Sequence, residues 1–428
     1  MRKTAAARIG GWTNAPEHRK LPAMRDGMIE SDVLVVGGGL VGLSLGIGLA
    51  QGGLDVVVVD REAPASQTLP AFDGRVSAIA HASRQALQAL GIWRHLEAAE
   101  PILDIRVTDG TSPLFVHYDH REVGAEPFGH MVENRHLRLA LQGAVNETPG
   151  LRLLAPAAVT VLERRPAAVH ARLADGRTVR AALVVGAEGR NSPTREAAGI
   201  RTTTWSYGQA GIVCTVGHER PHQGVAQERF LPAGPFAILP MTGSRSSLVW
   251  TEREDLAAAL LALPEAEFLA ELGRRFGDYL GKLEVEGPRW SYPLSFLHAE
   301  RYIDHRLALA GDAAHGIHPI SGQGLNLGLR DVATLVEILV GQARLGLDLG
   351  DPLALAAYER WRRVDTFVLG AITDGLNRLF SNDIAPVRLV RDLGLGIVEQ
   401  LPPLKRVFMR HARGDMGDLP GLLRGEPV

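Results

Sequence analysis

One stretch of the chain carries an unusual number of side chains that could do chemistry. Residues 307–331 read LALAGDAAHGIHPISGQGLNLGLRD, with an acid at Asp312, histidines at His315 and His318, and a serine at Ser321. These residue types are compatible with a metal centre, with a hydrolase centre or with a cradle for a bound cofactor.

The first two interpretations lack essential parts. His315 and His318 have a spacing that would suit one helical face, but Pro319 and the neighbouring glycines favour a loop, and no further set of metal ligands accompanies them. Ser321 lies in SGQG rather than in the Gly-x-Ser-x-Gly turn that exposes a hydrolase nucleophile. We therefore expect no metal site and no hydrolytic triad here.

The cofactor interpretation needs a strand that delivers an acid and a helix whose N-terminus faces the ligand. The apolar run 307–310 predicts a strand that leads into Asp312, and a helix is expected to begin between Gly322 and Asn326. The partial positive charge at such a helix end would stabilise negative charge on an electron-accepting ring.

A second glycine-rich turn lies near the N-terminus. The run 32–37 predicts a buried strand that enters Gly37, Gly39 and Gly42, a helix follows, and LDVVVVD makes a second strand ending at Asp60. In such a unit the glycines let the backbone approach a pyrophosphate, and the acid accepts hydrogen bonds from ribose hydroxyls. An acid there disfavours a 2′-phosphate, so FAD or NAD is expected rather than NADP.

The remaining apolar runs predict an α/β fold with an insertion. LVVGAEG and LALAGD are typical of central parallel strands, whereas the segments between them resemble antiparallel strands. We expect a Rossmann-like cofactor domain, split in sequence, with an inserted antiparallel β-sheet domain for the substrate and a C-terminal helical region. The expected boundaries are a disordered extension at 1–30, the cofactor domain at 31–70, 130–205 and 295–340, the substrate domain at 71–129 and 206–294, and the helical region at 341–428.

Composition narrows the class of protein further. The 428 residues include 46 Lys plus Arg against 48 Asp plus Glu, and the formal charge of -2 gives no reason to expect a nucleic-acid partner. The single cysteine, Cys214, excludes an internal disulfide and a Cys-rich zinc site. Because no apolar run approaches roughly 18 residues, we expect no membrane-spanning helix.

Two arginines stand beside predicted elements. Arg75 follows a loop in FDGRVSAIA, and Arg135 stands in VENRHLRLAL near the first turn of a predicted helix. On the residue pattern alone, each is compatible with a solvated surface cation and with a ligand contact.

Five segments resemble the ordered motif set of the class A flavoprotein monooxygenases. They are DVLVVGGGLVG with VVVVDRE, FDGRVSAIA, VENRHLRLAL, LVVGAEGRNSPTREAAGI and LALAGDAAHGIHPISGQGLNLGLRD, and the resemblance covers nearly the whole chain after residue 30. AQERFLPAGPFAILPM, YERWRRVDTFVLGAITDGLNRLFSND and LPPLKRVFMRHARGDMGDLPGLLRGEP are similar, more narrowly, to the ubiquinone-biosynthesis hydroxylases of that class.

The resemblance implies FAD as the cofactor, with its pyrophosphate on the turn that contains Gly37, Gly39 and Gly42 and its ribose on Asp60. It also implies that the ribityl-pyrophosphate region lies on Asp312 and that the flavin N1 and C2 carbonyl lie above residues 322–326. The implied FAD contacts are Gly37, Gly39, Leu40, Gly42, Asp60, Arg61, Arg75, Arg135, Val159, Asp312, Gly322, Gly324, Leu325 and Asn326. His315, His318 and Pro319 are candidate pocket residues, with Pro319 beside the flavin ring, and no catalytic base is assigned.

The resemblance also implies a reaction. NAD(P)H, bound transiently, reduces FAD, O₂ adds at flavin C4a, and the hydroperoxide transfers one oxygen atom to a polyprenylated phenol in ubiquinone biosynthesis. Two alternatives stay open, namely another aromatic or isoprenoid substrate, and a catalytically silent flavoprotein that scaffolds a quinone-synthesis complex. The expected location is cytoplasmic, with peripheral contact to the inner membrane suited to a lipidic substrate and to the mixed apolar and basic C-terminal segment.

One position departs from the family pattern. The chain has Glu188 before Gly189, where the family usually has Asp-Gly. The longer side chain puts a nicotinamide-related role of this motif in doubt, and a tolerated surface variant is the alternative.

Overall fold

The computed structural model of the chain describes residues 28–69, 74–110, 112, 114–317, 322–380, 394 and 396–428. His318 and Pro319 lie outside the described residues. The strands are β1 (Met28–Glu30), β2 (Val33–Val36), β3 (Val56–Val59), β4 (Val76–Ala80), β5 (Glu100–Ile102), β6 (Asp104–Asp109), β7 (Phe115–Asp119), β8 (Gly129–Glu133), β9 (Leu151–Leu154), β10 (Val159–Arg164), β11 (Val169–Leu173), β12 (Thr178–Ala181), β13 (Leu183–Gly186), β14 (Thr202–His218), β15 (Val225–Leu231), β16 (Gly234–Met241), β17 (Arg245–Arg253), β18 (Leu283–Ala299), β19 (Ile303–Asp304), β20 (Leu307–Leu309) and β21 (His315–Gly316). The helices are α1 (Leu40–Gln51), α2 (Pro64–Gln67), α3 (His81–Ala89), α4 (Asn134–Asn146), α5 (Pro193–Ala197), α6 (Glu254–Leu261), α7 (Glu265–Phe276), α8 (Gly324–Arg344), α9 (Pro352–Phe380) and α10 (Pro402–Arg413).

A six-stranded sheet forms the central layer of the cofactor domain. Its order is β19-β20-β13-β2-β3-β9, and its strands are parallel apart from β19. The strands β2, β3 and β13 read VLVV, VVVV and LVVG and are buried throughout, as expected for parallel strands covered on both faces. The carboxyl ends of four of these strands therefore lead into Gly37, Asp60, Glu188 and Asp312 at one edge of the sheet.

Helices α1 and α8 pack closely against each other because glycines of each helix face valines of the other. A Cβ atom on Gly48 would lie 2.7 Å from the Val336 side chain, and one on Gly52 would collide with Val340. Nearer the helix starts, Gly328 of α8 faces Val41 of α1 in the same way. The contacts advance in step along both helices, so α1 and α8 run parallel and present their N-termini at the same edge.

The second large sheet has eight strands in the order β21-β18-β14-β17-β16-β15-β6-β7. One face packs on α6 and α7 around a cluster that includes Phe236, Trp250 and Phe276. The other face is directed to the start of β4, a strand that Asn326 of α8 ties to the cofactor domain, since the Arg75 guanidinium lies 5.2 Å from the centre of the Tyr292 ring on β18. This face is therefore the candidate substrate surface.

Two expected boundaries need correction. The prediction of a disordered extension at 1–30 is wrong for its last three residues, because β1 pairs with β12 and Ile29 is buried; residues up to 27 lie outside the described residues. Segment 71–129 is shared between domains, since β6 and β7 join the eight-stranded sheet while Ala86 and Leu87 of α3 belong to the main core.

Candidate functional site

The turn after β20 is held between the N-terminal ends of α1 and α8. Gly311 adopts a φ of +61°, a region that favours glycine, and a Cβ there would lie 3.1 Å from Val41 of α1. Gly328 of α8 approaches the same valine, and a Cβ on it would lie 3.5 Å from Gly311 Cα. Asp312 is exposed at this point of convergence, so two helix ends and one exposed carboxylate meet at the sheet edge.

The start of α1 fits a pyrophosphate. Within the described residues, no side chain caps Gly39 and no acid occupies the first turn that begins at Leu40. A Cβ on Gly39 would meet nothing within 4 Å, whereas one on Gly42 would collide with the Gly37 carbonyl oxygen. The backbone N–H groups of this helix end therefore point into open space, where an anion can bind them.

Asp60 stands at the position expected for a ribose contact. Its Oδ2 accepts a hydrogen bond from the Gly38 N–H at 2.5 Å, and its Oδ1 accepts one from the Glu62 N–H at 2.7 Å. Gln67 Nε2 also donates to Oδ1 at 3.3 Å, so Oδ2 is the carboxylate oxygen with lone-pair capacity left for a ribose hydroxyl. The Ala157 N–H donates to the Asp60 carbonyl at 2.7 Å, which brings the segment before Val159 alongside.

Arg61 is not fixed at this edge. Its side chain is 81% exposed, and its nearest ionic partner in the described chain is Glu62 at 3.7 Å. The geometry therefore gives Arg61 no defined contact with a ribose.

The start of α8 is also uncapped. No described side chain caps Gln323, and the first turn contains no acid. The Asn326 side chain is buried and joins α8 to β4, because its Oδ1 accepts from the Ala80 N–H at 2.9 Å and its Nδ2 donates to the Ala78 carbonyl at 2.9 Å. Asn326 can thus offer a flavin only its backbone N–H, together with those of Gly324 and Leu325, and Gly322 precedes them in a turn.

The two candidate arginines come from separate elements that meet. The Asn134 N–H donates to the Arg75 carbonyl at 3.1 Å, so the start of α4 lies against the start of β4. The Arg135 Nε donates to the Thr68 carbonyl at 2.7 Å, while Arg75 lies over Tyr292. The Arg75 guanidinium therefore lies against the eight-stranded sheet, whereas the Arg135 guanidinium is held at the segment that follows α2.

A buried polar cluster behind Asp312 supports the turn. Asp331 of α8 is fully buried; its Oδ2 accepts from the Gly311 N–H at 2.9 Å and lies 2.6 Å from His315 Nε2, and its Oδ1 accepts from Arg362 Nε at 2.8 Å. His315 is 2% exposed and Arg362 is 3% exposed. The expectation that His315 lines an open pocket is therefore not supported, because its ring is directed into this cluster.

The charges of the cluster are balanced by its own members. Burial acts to raise the pKa of Asp331, but the charges and hydrogen bonds of His315 and Arg362 outweigh it and hold that pKa below its usual value. Arg362 also contacts Asp365 at 2.7 Å, and the two carboxylates keep its pKa raised despite its burial. The turn thus rests on a charged group that stays ionised inside the protein.

A second support comes from the segment after β13. Arg195 of α5 donates to the Ala313 carbonyl at 3.0 Å. Glu188 fixes α5 itself, since its Oε2 accepts from the Ser192 hydroxyl at 2.8 Å and its Oε1 accepts from the Thr194 N–H at 3.1 Å. The departure from Asp at this position therefore has a local explanation: the longer carboxylate closes the first turn of α5.

Sequence reasoning missed the supports of the turn, namely Asp331, Arg362 and Arg195. A signal existed for Asp331, because an acid among the apolar residues of a helix that packs on a sheet indicates a buried partner. No comparable signal identifies Arg362, which stands among three arginines within four residues.

The residues fit FAD rather than a metal. Two uncapped helix ends, an acid at the ribose position and a glycine turn that a Cβ would block form a cradle for a dinucleotide. Across the described ranges, no group of three or more His, Cys, Asp or Glu could hold a metal ion. No helix of the described chain is long and apolar enough to cross a membrane.

Comparison with known sequences identifies relatives along most of the chain. The family described as FAD binding domain matches residues 30–363. The ubiquinone hydroxylase UbiL of Rhodospirillum rubrum is 58% identical over 402 residues, which cover 93% of this chain and 94% of that protein. The 3-demethoxyubiquinol 3-hydroxylase of Escherichia coli is 35% identical, covering 90% of this chain and 98% of its own.

Solved structures agree with this fold. The p-nitrophenol 4-monooxygenase PnpA of Pseudomonas putida superposes with a TM-score of 0.75 at 21% identity, covering 94% of this chain and 100% of its own. A probable FAD-dependent monooxygenase of Pseudomonas aeruginosa, PqsL, superposes with a TM-score of 0.72 at 23% identity, covering 86% and 99%. With the cradle described above, these matches confirm the expected α/β flavoenzyme fold and FAD as its cofactor, and the chain belongs to the FAD-dependent monooxygenases, in the branch that contains the ubiquinone-biosynthesis hydroxylases.

Proposed function

We propose that this enzyme hydroxylates a polyprenylated phenol on the route to ubiquinone, with NAD(P)H as transient reductant and O₂ as the oxygen source. The observation that carries the proposal is the alignment of nearly the entire chain with a relative named a ubiquinone hydroxylase. The substrate side of the site agrees with it, because the face of the eight-stranded sheet towards the cofactor domain carries Trp290, Tyr292 and Leu239, which suit an aromatic ring and an isoprenoid tail.

FAD, when bound, stores the two electrons from NAD(P)H and activates O₂. The residues of the chain then have separable tasks. The N–H groups at the start of α8 stabilise negative charge on the flavin ring, and the 37–42 turn binds the pyrophosphate. Asp312 orients the segment between these two ends. The apolar sheet face holds the phenol ring over the flavin and excludes water from it.

We propose in addition that α10 makes peripheral contact with a membrane. On α10, Leu404, Val407 and Phe408 are 39%, 49% and 41% exposed, and Arg406 and Arg410 are exposed beside them. Lys405, on the same helix, instead points inward and contacts Glu122 and Glu399 at 3.1 Å. Apolar side chains flanked by arginines favour an anionic lipid surface, which would bring the site close to a lipidic substrate.

Quinone intermediates in a deletion strain test the substrate. We expect the strain to accumulate a prenylphenol that lacks one hydroxyl group, and the plasmid-borne chain to restore the hydroxylated product. Normal quinone content in the deletion strain would contradict the proposal. If the chain restores quinone content and carries FAD, but no prenylphenol stimulates its oxidation of NAD(P)H, the protein would instead be a silent scaffold in a quinone-synthesis complex.

Binding to vesicles tests the membrane contact. We expect co-sedimentation with vesicles that contain phosphatidylglycerol, and weaker binding for Phe408→Ser. Equal recovery with neutral vesicles, or no effect of the substitution, would contradict this part of the proposal.

A further inference from the structure

One transverse row of the eight-stranded sheet is apolar except for a single acid. Because opposite residues in paired strands face the same side of a sheet, the row can be followed strand by strand. From β7 to β18 its members are Val116, Val107, Glu228, Ala237, Val249, Val213 and Trp290. A carboxylate in the middle of such a row is costly unless it has a task there.

This row faces the cofactor domain. A Cβ on Gly74, which lies just before β4, would collide with the Trp290 indole at one end of the row. In the adjacent row, Tyr292 lies beneath Arg75. Glu228 therefore shares its side of the sheet with residues that touch the cofactor domain, whereas α6 and α7 cover the opposite side.

The row also lies close to the flavin end of the cradle. Leu239 and Ala78 belong to one apolar cluster, and the Ala78 carbonyl accepts the hydrogen bond from Asn326 at the start of α8. Glu228 is paired with Ala237, two residues from Leu239 on the same face. Diagonal neighbours of this kind lie roughly 7–8 Å apart, within reach of one phenol ring.

The carboxyl group of Glu228 is available to bind a substrate. In the described part of the chain, Glu228 has no hydrogen-bond or ion-pair partner, and its side chain is partly buried. On β15, Ala226 and Phe230 lie on the same face as Glu228. The Phe230 ring stacks on that of Phe380 of α9, with 4.1 Å between the ring centres. Burial raises the pKa of Glu228 to about 7. The titratable groups in the two adjacent rows of the same face are Asp109 of β6, Tyr118 of β7, and Tyr292 and Glu286 of β18.

We infer that Glu228 is the group that binds the phenol hydroxyl of the substrate and accepts its proton. The inference rests on the proposed function. In this step the phenol O–H bond breaks, its proton moves to a carboxylate oxygen of Glu228, and the electron pair left on the phenolate oxygen raises the electron density of the ring carbon that receives oxygen. When oxygen has been transferred, that ring carbon gives up its hydrogen as a proton to water, and the C–H electron pair restores the ring and the phenolate oxygen. Glu228 then returns the first proton to that oxygen, so the residue is regenerated.

The test compares Glu228→Gln and Glu228→Asp with Glu284→Gln, which removes an exposed carboxylate from β18 of the same sheet. The substrates are 2-geranylphenol and its methyl ether, which has no proton to give. For Glu228→Gln we expect unchanged FAD content and melting temperature, kcat with the phenol lower by roughly 10²-fold, and loss of the pH dependence of kcat near pH 7. Glu228→Asp should recover part of the rate, and Glu284→Gln should behave as wild type.

Binding separates the inference from the proposed function. Flavin absorbance should show that wild type prefers the phenol to its methyl ether increasingly as pH rises through 7, and that Glu228→Gln has lost this preference. Turnover by Glu228→Gln with wild-type kcat and pH profile would overturn the inference while leaving the proposed function intact. If wild type hydroxylates no prenylphenol, the proposed function fails, and an equal preference in wild type and Glu228→Gln would then overturn the inference as well.

Discussion

Asp331 Oδ2 lies 2.9 Å from the backbone nitrogen of Gly311, so a buried carboxylate on α8 holds the residue that precedes Asp312. The same oxygen lies 2.6 Å from His315 Nε2, at the other end of the turn. One side chain thereby fixes Gly311 and His315, at the two ends of the turn that follows β20. Because Asp331 is buried, it supports FAD binding indirectly, by holding the turn that carries Asp312.

Asp331→Asn should destabilise the protein and lower its FAD content. The substitution leaves Arg362 buried with less compensating charge, and breaking a buried pair in this way costs about 3–5 kcal/mol. Urea unfolding of the FAD-loaded protein measures the loss, and flavin absorbance after gel filtration measures the occupancy. The control is Asp365→Asn, whose carboxylate is 38% exposed; we expect a clearly smaller effect, and equal losses for both variants would contradict the role given to Asp331.

Asp312→Ala should lower FAD occupancy without lowering the stability of the apoprotein. The carboxylate is exposed, so its removal leaves the packing of the turn intact and affects only the ligand. Titration of the apoprotein with FAD, followed by fluorescence quenching, gives the dissociation constant. Full retention of flavin would remove the assignment of this residue to FAD.

Gly48→Ala and Gly341→Ala should act in opposite directions. A Cβ at position 48 would lie 2.7 Å from Val336 and force the helices apart, which typically costs about 1–3 kcal/mol. At position 341, in α8, a Cβ meets nothing within 4 Å, so alanine should stabilise the helix by about 0.5–1 kcal/mol. Thermal unfolding of both variant apoproteins and of wild type measures these two changes in stability. A Gly48→Ala protein as stable as wild type would show that the contact between the helices is not tight.

Glu188→Ala should reduce stability but leave the use of NAD(P)H unchanged. The carboxylate caps α5, and the loss of such a cap costs about 0.5–2 kcal/mol. Steady-state kinetics should give a KM for NAD(P)H within error of wild type. A large rise in that KM would instead restore the nicotinamide role to this motif.

Stability should fall between pH 7 and pH 5 in part because of His298. Burial lowers the pKa of His298 to about 4, aided by the charge of His315, whereas an unfolded histidine titrates near 6.5. The unfolded state therefore binds more protons in this window, so the stability from His298 is complete above about pH 6.5 and falls as pH drops towards 4. At pH 5 the loss is about 2 kcal/mol. Denaturant unfolding of wild type and His298→Gln at both pH values measures it; parallel pH slopes would contradict this prediction.

The local elements of the cofactor domain could be predicted because each has a strong sequence signal. The valine run before Gly37, the valine run before Asp60 and the apolar run before Asp312 each indicate a buried strand that ends at a ligand edge. The direction of side chains within the turn could not be predicted. His315 faces inward because Asp331, sixteen residues later, returns on α8 to meet it, and such a contact depends on helix packing rather than on local pattern.

Glu228 shows the same limit on the substrate side. Its neighbours in the sequence, Gln227 and Arg229, are polar, and they give no sign that the acid faces an apolar surface. Only the strand register, which pairs it with Ala237 and Val107, reveals its surroundings. Register is set by the whole sheet, so a single strand cannot indicate it.

The close approach of α1 and α8 has a consequence for affinity. The ribityl chain between the pyrophosphate and the ring of FAD has a limited reach, so the separation of the two helices decides whether one molecule can occupy both helix ends at once. Each end alone is a weak anion site; joined at the right spacing, they act as a bivalent receptor, in which binding at one end raises the effective concentration at the other. We therefore expect Gly48 and Gly52, which set the spacing of the two helices, to influence FAD affinity without touching the cofactor.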